Sequence, residues 1–344
     1  MAGTWGADFL ARRQLYLSKI IPKITYAAAV WFLADPTDTE DNPRYRWGLT
    51  KDRMKMLGSL QIEVLLELTK SRKNTAVQTM EKEFHVQPIL LKLYNIAMNH
   101  RCRHYALGSY QNIQESLKID SRNERACSDQ NALDNHPYAR LWKLVAQQID
   151  DIRSDAQRDL SVGEFEKRWA NPWRRGQWIK EYNNLSVFRT AKEWWVQHLR
   201  ERAHEHKHFH AAHTPDFADH SLKYFNNLDA AQSTMGLSLR NGNIELKSNP
   251  YWLIVSGDTD RVCPLCHNYI HTAEHLVCHC KALVEERKLL RAAAGHLRWD
   301  DLLKGDLELT ASWAILYFGI ERYDKVRNRK AYQFPRDRTP ISKK

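Results

Sequence analysis

The strongest constraint in this chain is the run Arg261-Val-Cys-Pro-Leu-Cys-His-Asn-Tyr-Ile-His-Thr-Ala-Glu-His-Leu-Val-Cys-His-Cys280. It holds four of the six cysteines of a 344-residue sequence, interleaved with four histidines. Zinc takes four ligands drawn from thiolate and imidazole, and two cysteines two residues apart grip it from one tight turn. Cys263 and Cys266 supply that turn, with Pro264 stiffening it. His275 and Cys280 read as the second pair, in the pattern C-x2-C-x8-H-x4-C. Cys278, His271, His267 and His279 lie close enough in sequence to compete for the same positions. If a helix starts in 272–277, His275 and Cys278 share a face at i, i+3, as do His271 and His275 at i, i+4.

A site so rich in sulfur and so over-supplied with ligands predicts structural Zn2+. Catalytic zinc keeps an open position for water and usually a base beside it. A deaminase-like reading would need an H-x-E upstream of the Cys-x2-Cys pair. His204-Glu205-His206 does not stand in that context. The first ten residues lack the basic start and apolar core of a secretory signal, so reduced thiols and a nuclear or cytoplasmic location are expected. No apolar run approaches the ~20 residues needed to cross a bilayer, and no membrane partner is expected.

Charge narrows the partners. There are 52 Lys and Arg against 41 Asp and Glu, a formal net charge of +11, which favours polyanions. Only 13 Gly and 11 Pro accompany 12 Trp and 14 Tyr, which describes a helical, aromatic-rich chain. The expected fold class is mainly α. Apolar residues recur at helical spacing over 8–33, where Pro22 should break or kink the helix at Ile21. The same spacing recurs over 50–70, 76–83, 89–103 and 138–159. Beyond the zinc run, helices are expected over 281–290, from Trp299, and over 307–318.

Lys70, Arg72 and Lys73 concentrate positive charge in a turn between helices, where phosphate contacts or plain solvation are both natural readings. Phe165, Trp169, Trp173, Trp178, Trp194 and Trp195 are interleaved with cations, a pattern that suits either base stacking or a helical core. Seven histidines between His198 and His220 form a tract that can chelate metals or simply face solvent. Residues 121–137 read as a polar linker, and Cys102 and Cys127 stand alone. From Lys325 to Lys344 eight basic residues face the single acid Asp337, a composition expected of a disordered basic arm.

Several stretches resemble a known family. Thr4-Trp-Gly-Ala and the segment Ala11 to Phe32 resemble the region just after the polymerase palm of non-LTR (LINE-like) retrotransposon reverse transcriptases, those of the fungal Tad type in particular. Leu60-Gln-Ile-Glu, Lys70-Ser-Arg-Lys-Asn-Thr75, Met80-Glu-Lys-Glu and Val86-Gln-Pro-Ile89 are similar to their thumb and connection helices. Gln232 to Ile244 resembles the helix and Arg-x-Gly turn that precede their zinc element. Cys263-x2-Cys266 with Thr272-Ala-Glu-His-Leu-Val-Cys-His-Cys280 resembles that element itself.

The resemblance covers about residues 1–110 and 220–330. It implies His275 and Cys280 as the second ligand pair; Cys278, the alternate ligand by its place in the run, stands where that family usually has an apolar residue. No aromatic-x-Asp-Asp turn occurs in the sequence, and no ribonuclease H domain is recognisable between the two matching regions. The resemblance therefore implies a noncatalytic piece of a reverse transcriptase, with RNA or DNA as partner and an intact reverse transcriptase acting in trans as a further one. The candidate nucleic-acid contacts are Lys70, Arg72, Lys73, Arg240, Lys325, Arg327, Arg329 and Lys330. The competing expectation is a zinc-stapled structural or protein-interaction domain. The expected division is a thumb/connection-like helical segment (1–110), a helical linker with the histidine tract (111–219), a zinc-binding domain (220–324) and the basic tail (325–344).

Overall fold

The computed structural model describes residues 6–32, 51–71, 73, 75–107, 137–185, 189, 193, 219–257 and 259–329. Among these the chain is mainly helical, as its periodicity predicts, and carries one isolated antiparallel bridge, Val262 to Ile270, and no strands. The α-helices in chain order are α1 (Phe9–Leu15), α2 (Ile21–Ile24), α3 (Ala28–Trp31), α4 (Lys51–Thr69), α5 (Val77–Phe84), α6 (Ile89–Ala106), α7 (Pro137–Asp159) and α8 (Val162–Ala170). They continue with α9 (Ala230–Arg240), α10 (Pro250–Ser256), α11 (Val284–Ala294), α12 (Trp299–Lys304), α13 (Leu307–Tyr317) and α14 (Asp324–Arg327). Pro22 does not end the first helical path. A π turn over Tyr16–Ile20 joins α1 to α2, its wide loop falling just ahead of the residue that has no N–H to donate.

Two compact units emerge, and neither is a continuous stretch. One comprises Met1–Ile21, Ile62–Val86 and Trp194–Lys344; the other comprises Pro22–Gln61 and Gln87–Glu193. The first 110 residues are thus shared between both units, where sequence reading expected one segment.

In the unit that carries the cysteines, the Phe9 ring stacks on Phe225 at 3.9 Å and meets the edge of Phe84 at 4.5 Å. Asp8 caps α1 by accepting the Ala11 N–H at 2.7 Å. Arg12 and Arg13 donate to the carbonyls of Leu68 and Phe84, each at 2.6 Å. Helix α9 opens with a reciprocal capping box between Asp229 and Gln232. It packs on α13 where Gly236 faces Leu307: a Cβ there would lie 3.1 Å from the Leu307 side chain, close enough that Leu307 would have to shift to admit one. Trp313 of α13 is fully buried and donates its indole N–H to the Glu286 carbonyl at 2.9 Å.

The other unit is built on Met98, Cys102, Val145, Ile149, Ile152 and Ile179, with Tyr94, Trp169 and Tyr182 packed against them. Val145, Ile149 and Ile152 recur at i, i+4 and i+7, so one stripe of α7 faces this core. Trp169 stacks on Phe165 at 5.5 Å, and Trp178 lies 6.3 Å from both. The core reading of these aromatics therefore holds for Trp169, while Trp173 is largely exposed. Burial pushes the Cys102 thiol up to about 11, which makes it an inert core side chain. Trp194, Trp195, Cys127, the linker before Pro137 and the histidines from His198 to His213 lie outside the described residues. His220 falls in a 3-10 helix, Asp219–Phe225.

Candidate metal centre

The cluster is assembled by three short pieces of backbone. In the first, the Cys263 N–H donates to the Tyr269 carbonyl at 2.7 Å and the His267 N–H donates to the Cys263 carbonyl at 2.9 Å. His267 adopts φ 54°, the left-handed conformation that lets the chain double back within so few residues. This tight knuckle places Cys263 and Cys266 side by side. In the second piece, Thr272 starts a turn by accepting the His275 N–H on its hydroxyl at 3.0 Å.

The third piece decides the second ligand pair. His275–His279 is a π turn, closed by the Cys280 N–H donating to the His275 carbonyl at 2.7 Å. In an α-helix, residues five apart point about 140° away from each other. The wider turn brings His275 and Cys280 to one side, which accounts for the x4 spacing. From here the chain runs through a 3-10 turn, Lys281–Leu283, into α11.

The ligating atoms of Cys263, Cys266, His275 and Cys280 all lie within 4.8 Å of one another, and the four residues could hold a metal ion. Sγ of Cys263 and Sγ of Cys280 are 4.0 Å apart; Sγ of Cys266 and Nε2 of His275 are 3.3 Å apart. A tetrahedron with metal–sulfur bonds of ~2.3 Å and metal–nitrogen bonds of ~2.0–2.1 Å has edges of about 3.8 and 3.6 Å, close to both separations. A disulfide, with a bond of ~2.05 Å, is excluded for Cys263 and Cys280. Cys263 and Cys280 are fully buried, His275 is nearly so, and Cys266 is half-buried. Three sulfurs and an imidazole complete a four-coordinate shell, so the donor set fits a closed structural site.

The competitors from the sequence lie outside the cluster. His271 is buried, and its Nδ1 accepts the Lys247 backbone N–H at 3.2 Å. Burial, Lys247 and His275 depress its pKa to about 4, so it is a neutral acceptor. Cys278 is not among the four; burial and then Glu274 raise its thiol to about 11. His267 and His279 are exposed. Burial also raises Cys280 to about 11, while the Cys266 thiol is lowered, burial being outweighed by the Asn268 backbone hydrogen bond and the neighbouring cysteines. Metal binding would displace the remaining thiol protons.

Two contributors were not visible in the sequence. The Tyr269 ring sits 5.4 Å from the His275 ring. Arg287 of α11 is buried, and its charge acts on both His275 and Cys278. A dication with three thiolates and a neutral imidazole carries one net negative charge, which a buried guanidinium offsets.

The predicted nucleic-acid contacts divide. Arg240 is a correction: its side chain is 1% exposed and makes a two-pronged ion pair with Glu83, at 2.7 and 3.0 Å. It also donates to the Leu303 carbonyl at 2.7 Å and lies 4.3 Å above the Tyr224 ring. Arg327 is a second correction. It donates to the carbonyls of Ile315 and Ile320 at 3.1 Å each and pairs with Asp324. The basic tail accordingly does not begin at 325: α14 continues through Arg327, with Val326 buried. Lys325, Arg329 and Lys73 are exposed, and Lys70 is paired with Glu67 at 3.3 Å. Arg72 and Lys330 lie outside the described residues.

Fold and site together define a mainly helical protein with a Cys3His cluster. No protein-family description, curated protein or solved structure matches the chain. No helix among the described residues is long and apolar enough to cross a membrane.

Proposed function

We propose that this chain is a noncatalytic, zinc-containing nucleic-acid-binding module, related to the part of a non-LTR retrotransposon reverse transcriptase that follows the catalytic palm. The observation that carries the reading is the Cys3His cluster itself, formed by the four residues that the family resemblance implies. Its closed donor set favours Zn2+ in a structural role, with α11 held against the knuckle. The net charge of +11 and the exposed Lys73, Lys325 and Arg329 supply the attraction for phosphate. RNA or DNA is the partner, and an intact reverse transcriptase acting in trans is a further one.

The purified chain should bind nucleic acid with an affinity that falls steeply as salt rises. Joint charge reversal, Lys325→Glu with Arg329→Glu, should weaken binding and flatten the salt dependence by about two phosphates' worth of slope while leaving the unfolding midpoint unchanged. Salt-insensitive or absent binding refutes the reading. A second reading, a zinc-stapled protein-interaction domain, is favoured by the apolar side chains that α10 exposes, Tyr251, Ile254 and Val255. Ile254→Ser with Val255→Ser should leave nucleic-acid binding intact under the first reading and abolish partner capture under the second.

A further inference from the structure

Beside the metal cluster runs a groove of about 600 Å³, with Tyr269, Ile270, Glu274, His279 and Lys281 among its lining. That volume falls within the range of about 300–1,000 Å³ typical of small-ligand clefts and has room for a nucleotide. Tyr269 and Ile270 expose 55% and 44% of their surface, an unusual amount of apolar area for adjacent residues on so short a loop. The Tyr269 backbone carbonyl accepts the N–H of one ligand residue, Cys263, and its ring packs at 5.4 Å against another, His275. Ligation would therefore fix the ring before anything binds, which removes much of the ordering cost of a contact made by a surface side chain. The cation in the groove is Lys281.

From this we infer that the groove receives an unpaired base of single-stranded nucleic acid, stacked on Tyr269 with its phosphate held by Lys281. The inference rests on the nucleic-acid reading above and adds the form of strand recognised. An aromatic ring beside a lysine suits a base whose face is free. In a duplex both faces of each base are already stacked, and the ring has nothing to cover.

The test uses the metal-loaded full chain and fluorescence anisotropy with a short single-stranded DNA, the matching RNA and the corresponding duplex DNA. Tyr269→Ala should weaken binding to both single strands about tenfold, within the roughly 5- to 150-fold range of base–aromatic stacking, and leave duplex binding unchanged. Tyr269→Trp should retain affinity. Tyr269→Leu fills the space over His275 without a planar face; it should keep the metal and show the same loss as alanine. Lys281→Glu should weaken single-strand binding and reduce its salt slope by about 0.7. Single-strand affinity that survives Tyr269→Leu, or an equal loss on duplex, overturns the stacking inference while leaving nucleic-acid binding in place. Wild-type protein that binds neither strand form overturns both readings at once.

Discussion

Removing the Glu83 carboxylate tests whether Arg240 is a structural group or a phosphate contact. The pair is almost completely buried, with side-chain exposures of 1% and 2%. Glu83 accepts from Nε and Nη2 of Arg240, and the Nη1 donor goes to Leu303 rather than to solvent. In Glu83→Ala the guanidinium keeps one carbonyl and the face of Tyr224 but loses the carboxylate it is bonded to. An orphaned buried charge of this kind costs about 3–5 kcal/mol. At roughly 2–4 °C per kcal/mol, the melting temperature should fall by about 6–20 °C. Arg240→Met should cost a similar amount, and the double variant Glu83→Leu with Arg240→Met should recover much of the loss, since no charge is then left without a partner. Thermal and urea unfolding measure the cycle, and anisotropy measures nucleic-acid affinity on the same preparations at a temperature where each is folded. An Arg240→Met protein that melts like wild type but loses nucleic-acid affinity would refute the structural assignment.

Elemental analysis should find one zinc per chain, absent in Cys280→Ser and retained in Cys278→Ser; the reverse would exchange the two cysteines. Chelation should release the element between Arg261 and α11, because the binding energy of a structural zinc is also folding energy. His271, with a folded pKa near 4 against ~6.5 unfolded, makes stability independent of its titration above pH 6.5. As pH falls from 6.5 to 4 the unfolded state takes up the proton first, and up to about 3 kcal/mol is lost. His271→Asn, which keeps an acceptor for the Lys247 N–H, should flatten that part of the stability profile; an unchanged slope counts against it. Gly236→Ile forces a branched side chain onto Leu307 and should destabilise by about 1–3 kcal/mol without altering metal content.

What could be read from the sequence was local. Helical periodicity located most of the α-helices, and the Cys-x2-Cys turn needed only its own spacing. Choosing Cys280 over Cys278 was beyond periodicity, because an α-register puts His275 and Cys278 on one face; the family resemblance pointed to Cys280, and the π turn supplies the physical reason. Arg240 looked like a surface cation because its partner, Glu83, lies 157 residues away. Arg327 misled for a different reason: a run of positive charge hides the fact that Val326 is buried and draws its neighbours into the fold. The division into units was equally hidden, since it depends on pairings such as Phe9 with Phe225 that no window of sequence contains.

That last pairing bears on how the molecule is made. A ribosome that has just released Phe9 must add roughly 200 further residues before Phe225 exists to cover it, about 10–40 s at typical elongation rates. Throughout that interval α1 is a helix whose buried Phe9 has no Phe225 to stack on, and the residues that build the metal cluster have yet to be made. The unit built on Phe9 and Phe225 should therefore gain protease resistance late, after the carboxyl-terminal third has emerged, and its early segments should lean on holdase chaperones until then, whereas the unit that ends at Glu193 should become resistant sooner.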